Sequence, residues 1–403
     1  MIDAHSSEHG MASVSKPLFG KISHVDCSKI AHPWSATCGN GFLYMWWSSF
    51  IGSAKFLVLI YVAQYLMKRK KFTIEHIKET LLHYFRESLF GACMGSTFVT
   101  SMCFFRNSLQ RFSYYFLALF PAFVGGIAIF LVDSSRRGFS TTTFQYLALE
   151  AMYKYLQRIG IVTNSSLTET LGFMACSSCL LYMLRAGHHL NLRTLMWFFT
   201  PPSVKLQTTT DSSPCPHEGE CRSYIVSSSL KYFGLGFTLQ MVRNIVKDPR
   251  QLILHPTSLF SCLLSLDTYL LGIFTGGYAL SYKLINCFLC QWLGKDSPLY
   301  AIPAGFIAGS FYAVQPNLPI VLIALANLLK VTSQYLTCIG VIPNYPWEEL
   351  SFMVCSGLLF HVRTMHPQIC PKQAIRLMST MTGTRADDIY TAFKKNIDIV
   401  RFL

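Results

Sequence analysis

Across 403 residues, charged side chains are only 13% of the total, hydrophobic ones reach 51% and aromatics 14%, and the mean hydropathy is +0.35. Soluble domains carry about 25% charged residues, so this balance excludes an ordinary soluble globular protein and leaves apolar windows long enough for the ~30 Å hydrocarbon core of a bilayer. The net charge of +14 does not point to nucleic acid, because the basic residues stand in short runs between apolar segments, as flanks at a membrane surface do.

The polar head, 1–41, shows no apolar core followed by a small-residue cleavage site, so no signal peptide is expected. It carries Cys27-x4-His32-x-Trp34-x3-Cys38, with His24 just before. A second such cluster, Cys215-x-His217-x3-Cys221, opens the second half. Two Cys and a His can hold Zn²⁺, but neither spacing fits a common zinc module. A disulfide, a packing cluster and a plain loop remain open beside it, and no metal or other cofactor is assigned. Among the remaining cysteines, Cys93, Cys103, Cys176, Cys179, Cys287, Cys290, Cys338 and Cys355 lie in or beside apolar runs. Free Cys acts there as a small hydrophobe.

The first apolar segment, 42–66, has Trp46 and Trp47 near one end and is stopped by Lys68-Arg69-Lys70-Lys71. Residues 72–87 alternate apolar and charged at helical spacing and are expected along the membrane interface. A second span at 88–105 carries Gly91 and Gly95, and its counterpart at 263–285 carries Gly272 and Gly276. Small residues four apart let another helix backbone approach closely, so helix packing is their expected role. The third span, 114–132, matches 299–314. Pro121 and Pro303 should kink both, and Gly125-Gly126 and Gly305-x3-Gly309 mark close contacts in the same places.

The fourth segment, 143–160, sets Glu150 and Lys154 at i,i+4, where they pair on one helix face. Its counterpart, 320–340, carries Lys330 and Gln334. These four residues are a candidate intramembrane polar strip. An amphipathic helix on the surface explains them equally well. Asn164-Ser165-Ser166, just beyond, fits the glycosylation sequon.

The fifth segment is written twice. Glu169, Leu171, Phe173, Met174, Cys176, Ser177 and Leu180 recur as Glu348, Leu350, Phe352, Met353, Cys355, Ser356 and Leu359, at 348 − 169 = 179. Gly91/Gly272, Pro121/Pro303 and Tyr155/Tyr335 keep offsets of 181, 182 and 180 in the same order. Such order marks an internal duplication. The expected fold is all-α: a polytopic membrane helix bundle with about four to five helical segments per copy. The repeats are 42–184 and 221–363, joined by a polar linker at 185–220 and followed by a basic tail at 364–403. Five spans per copy would invert the copies, four would leave them parallel, and the basic stretches at 68–71 and 243–250 share a side only in the parallel case.

The chain resembles the transmembrane protein 135 family of peroxisomal and mitochondrial membrane proteins. Its resemblance rests on the Cys27-x4-His32-x-Trp34-x3-Cys38 head, the Lys68-Arg69-Lys70-Lys71 flank and Ser135-Arg136-Arg137-Gly138. In the second half it rests on Cys221-x-Ser223-Tyr224, Leu271-Gly272-x3-Gly276 and Ala304-Gly305-Phe306-x-Ala308-Gly309. A fainter likeness joins segments two to five to mitochondrial preprotein-translocase channel subunits and small peroxisomal membrane proteins. The family resemblance implies a mitochondrial and peroxisomal location, extending to lipid droplets, with ties to lipid handling, fat storage and mitochondrial division. It implies the bilayer, anionic lipids and organelle division factors as partners, and no catalytic residues. From the residues themselves, no lipase elbow, phosphate loop or dinucleotide fingerprint is present, so no enzyme is expected. A lipid or metabolite transporter is the second reading, and the oligomeric state is left open.

Overall fold

The computed structural model describes residues 14–67, 74–163, 165–186, 215–217, 219–247 and 265–401. The basic run 68–71, Asn164 of the sequon, most of the 185–220 linker and residues 248–250 lie outside them. No strand occurs among the described residues.

The chain folds as two compact units, Met1–Ile161 with Tyr345–Leu403 and Val162–Asn344. The first opens with short helices α1 (Lys16–Gly20) and α2 (Cys27–Ile30), then α3 (Cys38–Met67) and α4 (Ile74–Leu109). Next come α5 (Leu119–Gly125), running into a 3-10 turn at Gly126–Leu131, and α6 (Ser134–Arg158). The second unit holds α7 (Ser166–Ala186), α8 (Cys221–Lys247), α9 (Leu266–Leu293), α10 (Ala301–Gly309) with a 3-10 turn at Ser310–Val314, and α11 (Leu318–Cys338). The chain then returns to the first unit with α12 (Trp347–Met365), α13 (Lys372–Met381) and α14 (Arg385–Arg401).

Cys38–Val62, Ile77–Leu109, Ser166–Ala186 and Leu318–Cys338 are long and apolar enough to cross a membrane. The expected interfacial helix at 72–87 is corrected in one respect: from Ile74 it is the first part of α4, a single 36-residue helix. No Gly or Pro stands between Ile74 and Phe90 to end it, and its length of about 54 Å exceeds the bilayer core. Neither α6, α9 nor α12 meets the same apolar standard. Polar residues such as Asp267, Lys283 and Asn286 dilute α9.

The compact units fall elsewhere than the expected repeat ranges, because each doubly written helix packs away from the segments that precede it. Helix α12 lies against α5 and α6, and α7 lies against α10 and α11. In the first unit Phe352 is fully buried, 4.7 Å from the Phe144 ring and 5.8 Å from Phe90. In the second, Phe173 stacks on Tyr312 at 5.0 Å and meets Phe274 at 5.8 Å. Two further repeated residues, the serine and the methionine, do matching work. Ser356 Oγ donates to Ala122 O at 3.0 Å, and Ser177 Oγ donates to Gly305 O at 3.0 Å. A Cβ on Gly126 would come within 2.9 Å of Met353 Cα, and one on Gly309 within 2.6 Å of Met174 Cα. Exchange of one helix therefore closes both units with the same contact.

Residues from the two ends of the chain pack together. Val14, Phe19, Ile22 and Ile30 from the head are buried with Phe393 and Ile397 of α14, Met102 of α4 and Met365 of α12. Amphipathic spacing makes this packing available: α14 turns Ile389, Phe393 and Ile397 inward at i, i+4, i+8.

Candidate functional site

Cys38 is the first residue of α3, and Cys27 is the first residue of α2. Their Sγ atoms are 3.5 Å apart. Between them in sequence, His32 is fully buried and its Nδ1 lies 2.8 Å from Ser35 O. That contact places a proton on Nδ1 and leaves Nε2 as a lone-pair donor. Nε2 is buried and has no hydrogen-bond partner among the described residues. Gly41, on the first turn of α3, makes the room: a Cβ there would sit 2.8 Å from His32 Cγ. The fourth member comes from afar. Cys103, six residues from the end of α4, is buried, and one ligand atom from each of Cys27, His32, Cys38 and Cys103 lies within 4.8 Å of every other. Burial, then the neighbouring Cys38 thiol, pushes the Cys27 thiol above its usual range.

The second unit repeats the arrangement. Cys221 is the first residue of α8, and its Sγ lies 3.6 Å from that of Cys215. His217 Nε2 lies 3.3 Å from Cys287 Sγ, and Cys287 stands six residues from the end of α9. One atom from each of Cys215, His217, Cys221 and Cys287 again lies within 4.8 Å of the others. The His217 ring stacks on Tyr224 at 4.2 Å, and Lys283 Nζ sits 3.8 Å over the other partner of that stack, the Tyr224 ring. Gln291 Nε2 donates to Cys221 Sγ at 3.3 Å. Burial and the contact with Cys221 push the Cys215 thiol up to about 11.

Residues 24–157 match the N-terminal cysteine-rich region of Transmembrane protein 135. The match covers 134 of the 403 residues, and over that stretch the chain is similar to this family. All four members of the first cluster lie inside the matched region, and the second cluster lies beyond it. No solved structure matches the chain.

Cys103 and Cys287 are what sequence reading missed; both passed as small hydrophobes in apolar runs. A usable signal existed in the spacing, since 103 − 38 = 65 and 287 − 221 = 66. The other expected site residues fall into three helix pairs and two separate units. Gly91 and Gly95 on α4 face Ser53 and Ser49 of α3, where a Cβ would clash. Gly272 and Gly276 on α9 each bring a Cβ position to 2.9 Å from Phe233 of α8. Gly305 and Gly309 on α10 do the same against Ser178 and Met174 of α7. Glu150 Oε1 pairs with Lys154 Nζ at 2.7 Å on α6, in the first unit. Lys330, buried, and Gln334 lie on α11, in the second.

Proposed function

We propose that this chain is a non-enzymatic, multi-pass protein of the peroxisomal and mitochondrial membranes that regulates mitochondrial division and peroxisomal lipid metabolism and fat storage. The observation that carries the reading is the match over 24–157 in a chain with four helices of spanning length. The bilayer is its first partner, with anionic lipids and organelle division factors beside it, and lipid droplets are a further location. Matching contacts in the two units favour descent from an internal duplication. The test is a tagged full-length chain in cells lacking the endogenous protein, scored for organelle, mitochondrial length and stored neutral lipid. Restored length and lipid content from peroxisomes and mitochondria support the reading; a chain confined to the secretory pathway, or no change in either trait, sinks it.

One observation favours a second reading, a lipid or metabolite transporter. The short apolar stretches Leu119–Leu131 and Pro298–Val314 both break from α-helix to 3-10 turn in matching places. Interrupted apolar segments in corresponding positions of two halves are the usual mark of a transport site. Flux through reconstituted vesicles that survives both Glu150→Gln and Lys330→Met removes those residues from any such pathway.

A further inference from the structure

We infer that each half of the chain binds one structural Zn²⁺, held by Cys27, His32, Cys38 and Cys103 in the first unit and by Cys215, His217, Cys221 and Cys287 in the second. Three thiols and an imidazole aimed at one point form a closed Cys₃His set, with all four positions filled by protein and none left for substrate. Around a tetrahedral zinc with Zn–S of about 2.3 Å, neighbouring sulfurs fall about 3.8 Å apart and sulfur and nitrogen about 3.6 Å apart. The observed separations of 3.5, 3.6 and 3.3 Å are within a few tenths of an ångström of that geometry.

The competing explanations leave atoms over. A Cys27–Cys38 disulfide would use two sulfurs and strand the Cys103 thiol together with the buried, partnerless Nε2 of His32. A buried polar atom without a partner is costly, and a metal at this point satisfies it. Plain packing does not explain why His32 Nδ1 is tied to Ser35 O at 2.8 Å. That tie is the outer-shell bond that fixes the tautomer of a metal-bound imidazole. The Gln291 amide donating to Cys221 Sγ is the corresponding support for a thiolate.

Recurrence makes the independent case. Both sets draw one thiol from the start of a long helix, one from six residues before the end of the next, and a Cys and His from the segment just ahead. The matched cysteine-rich region contains only the first set, so the second is not a consequence of that match. Each ion would pin the entry segment to the start of one helix and the end of the next, in the pairs α3–α4 and α8–α9.

The experiment is metal analysis of the full chain, purified in detergent with reductant and without added metal, by plasma mass spectrometry. We expect about two zinc ions per chain, about one in Cys103→Ser and in Cys287→Ser, and almost none in the double variant. A second measurement needs no variant: in the wild-type chain the six cysteines of the two sets should resist alkylation until a chelator is added, while Cys338, exposed at the end of α11, reacts at once. Zinc below about 0.2 per chain with the six thiols freely alkylated, a Cys27–Cys38 or Cys215–Cys221 disulfide in peptide mapping, or iron with acid-labile sulfide would overturn the proposal. A content of about one, lost with Cys103→Ser alone, would overturn the second site.

Discussion

Replacing Phe173 or Phe352 by alanine should loosen the unit that receives the side chain, not the stretch of sequence that precedes it. Phe173 is fully buried and its ring lies 5.0 Å from Tyr312, 5.8 Å from Phe274 and 6.2 Å from Tyr278, all residues of Val162–Asn344. Phe352, equally buried, packs on Phe144 and Phe90 of the other unit. A buried Phe→Ala change costs about 3–5 kcal/mol in lost transfer energy and cavity. At about 1.4 kcal/mol per tenfold, sub-global opening becomes roughly 10²- to 4 × 10³-fold more frequent. Native-state hydrogen exchange reads that opening peptide by peptide. Phe173→Ala should raise exchange across 268–331 and leave 90–151 near wild type; Phe352→Ala should do the reverse. The reasoning is refuted if Phe173→Ala loosens 90–151 as much as 268–331, because α7 would then belong with the helices before it.

The remaining predictions use the same helix pairs. Gly309→Ala forces α10 about 1 Å away from Met174 Cα to restore ordinary carbon contact. It should cost about 1–3 kcal/mol, whereas Gly234→Ala, with open space around it, should raise the melting temperature slightly because alanine is the better helix former; equal melting curves for the two would contradict the close approach. Arg137 Nη1 meets Glu349 Oε1 at 2.7 Å while its Nε donates to Val132 O at 2.8 Å, linking α6 to α12. Glu349→Gln leaves that half-buried guanidinium without its anion and should lower stability by about 1–3 kcal/mol, most of it recovered when Arg137→Met is added, as a double-mutant melting series would reveal. Burial, then the Arg158 charge, holds His366 below the usual imidazole pKa, with its Nε2 3.1 Å from the Tyr114 hydroxyl. The unfolded chain therefore binds the proton more readily, and stability is lost as pH falls through about 6.5. Between pH 7.5 and 5.5 the wild type should lose more thermal stability than His366→Gln, and parallel losses would show that His366 is not responsible.

Composition and the length of the apolar stretches pointed to a helical membrane protein: with 13% charged residues the chain has too little polar surface for water and enough apolar length for lipid. The paired glycines, the i,i+4 pair Glu150–Lys154 and the doubly written block were also readable, because helical periodicity reports which face of a helix is small, charged or apolar. Periodicity does not report what that face meets. That α12 closes the first unit and α7 the second was decided by packing, since Phe173 and Phe352 sit in equivalent sequence and each fits either aromatic nest by composition. The metal-ligand sets show the same limit more sharply. Cys38 and Cys103 stand 65 residues apart, and neither looks unusual within its own helix. They meet only because α3 runs out and α4 returns antiparallel over a comparable length, bringing the start of one helix to the end of the next.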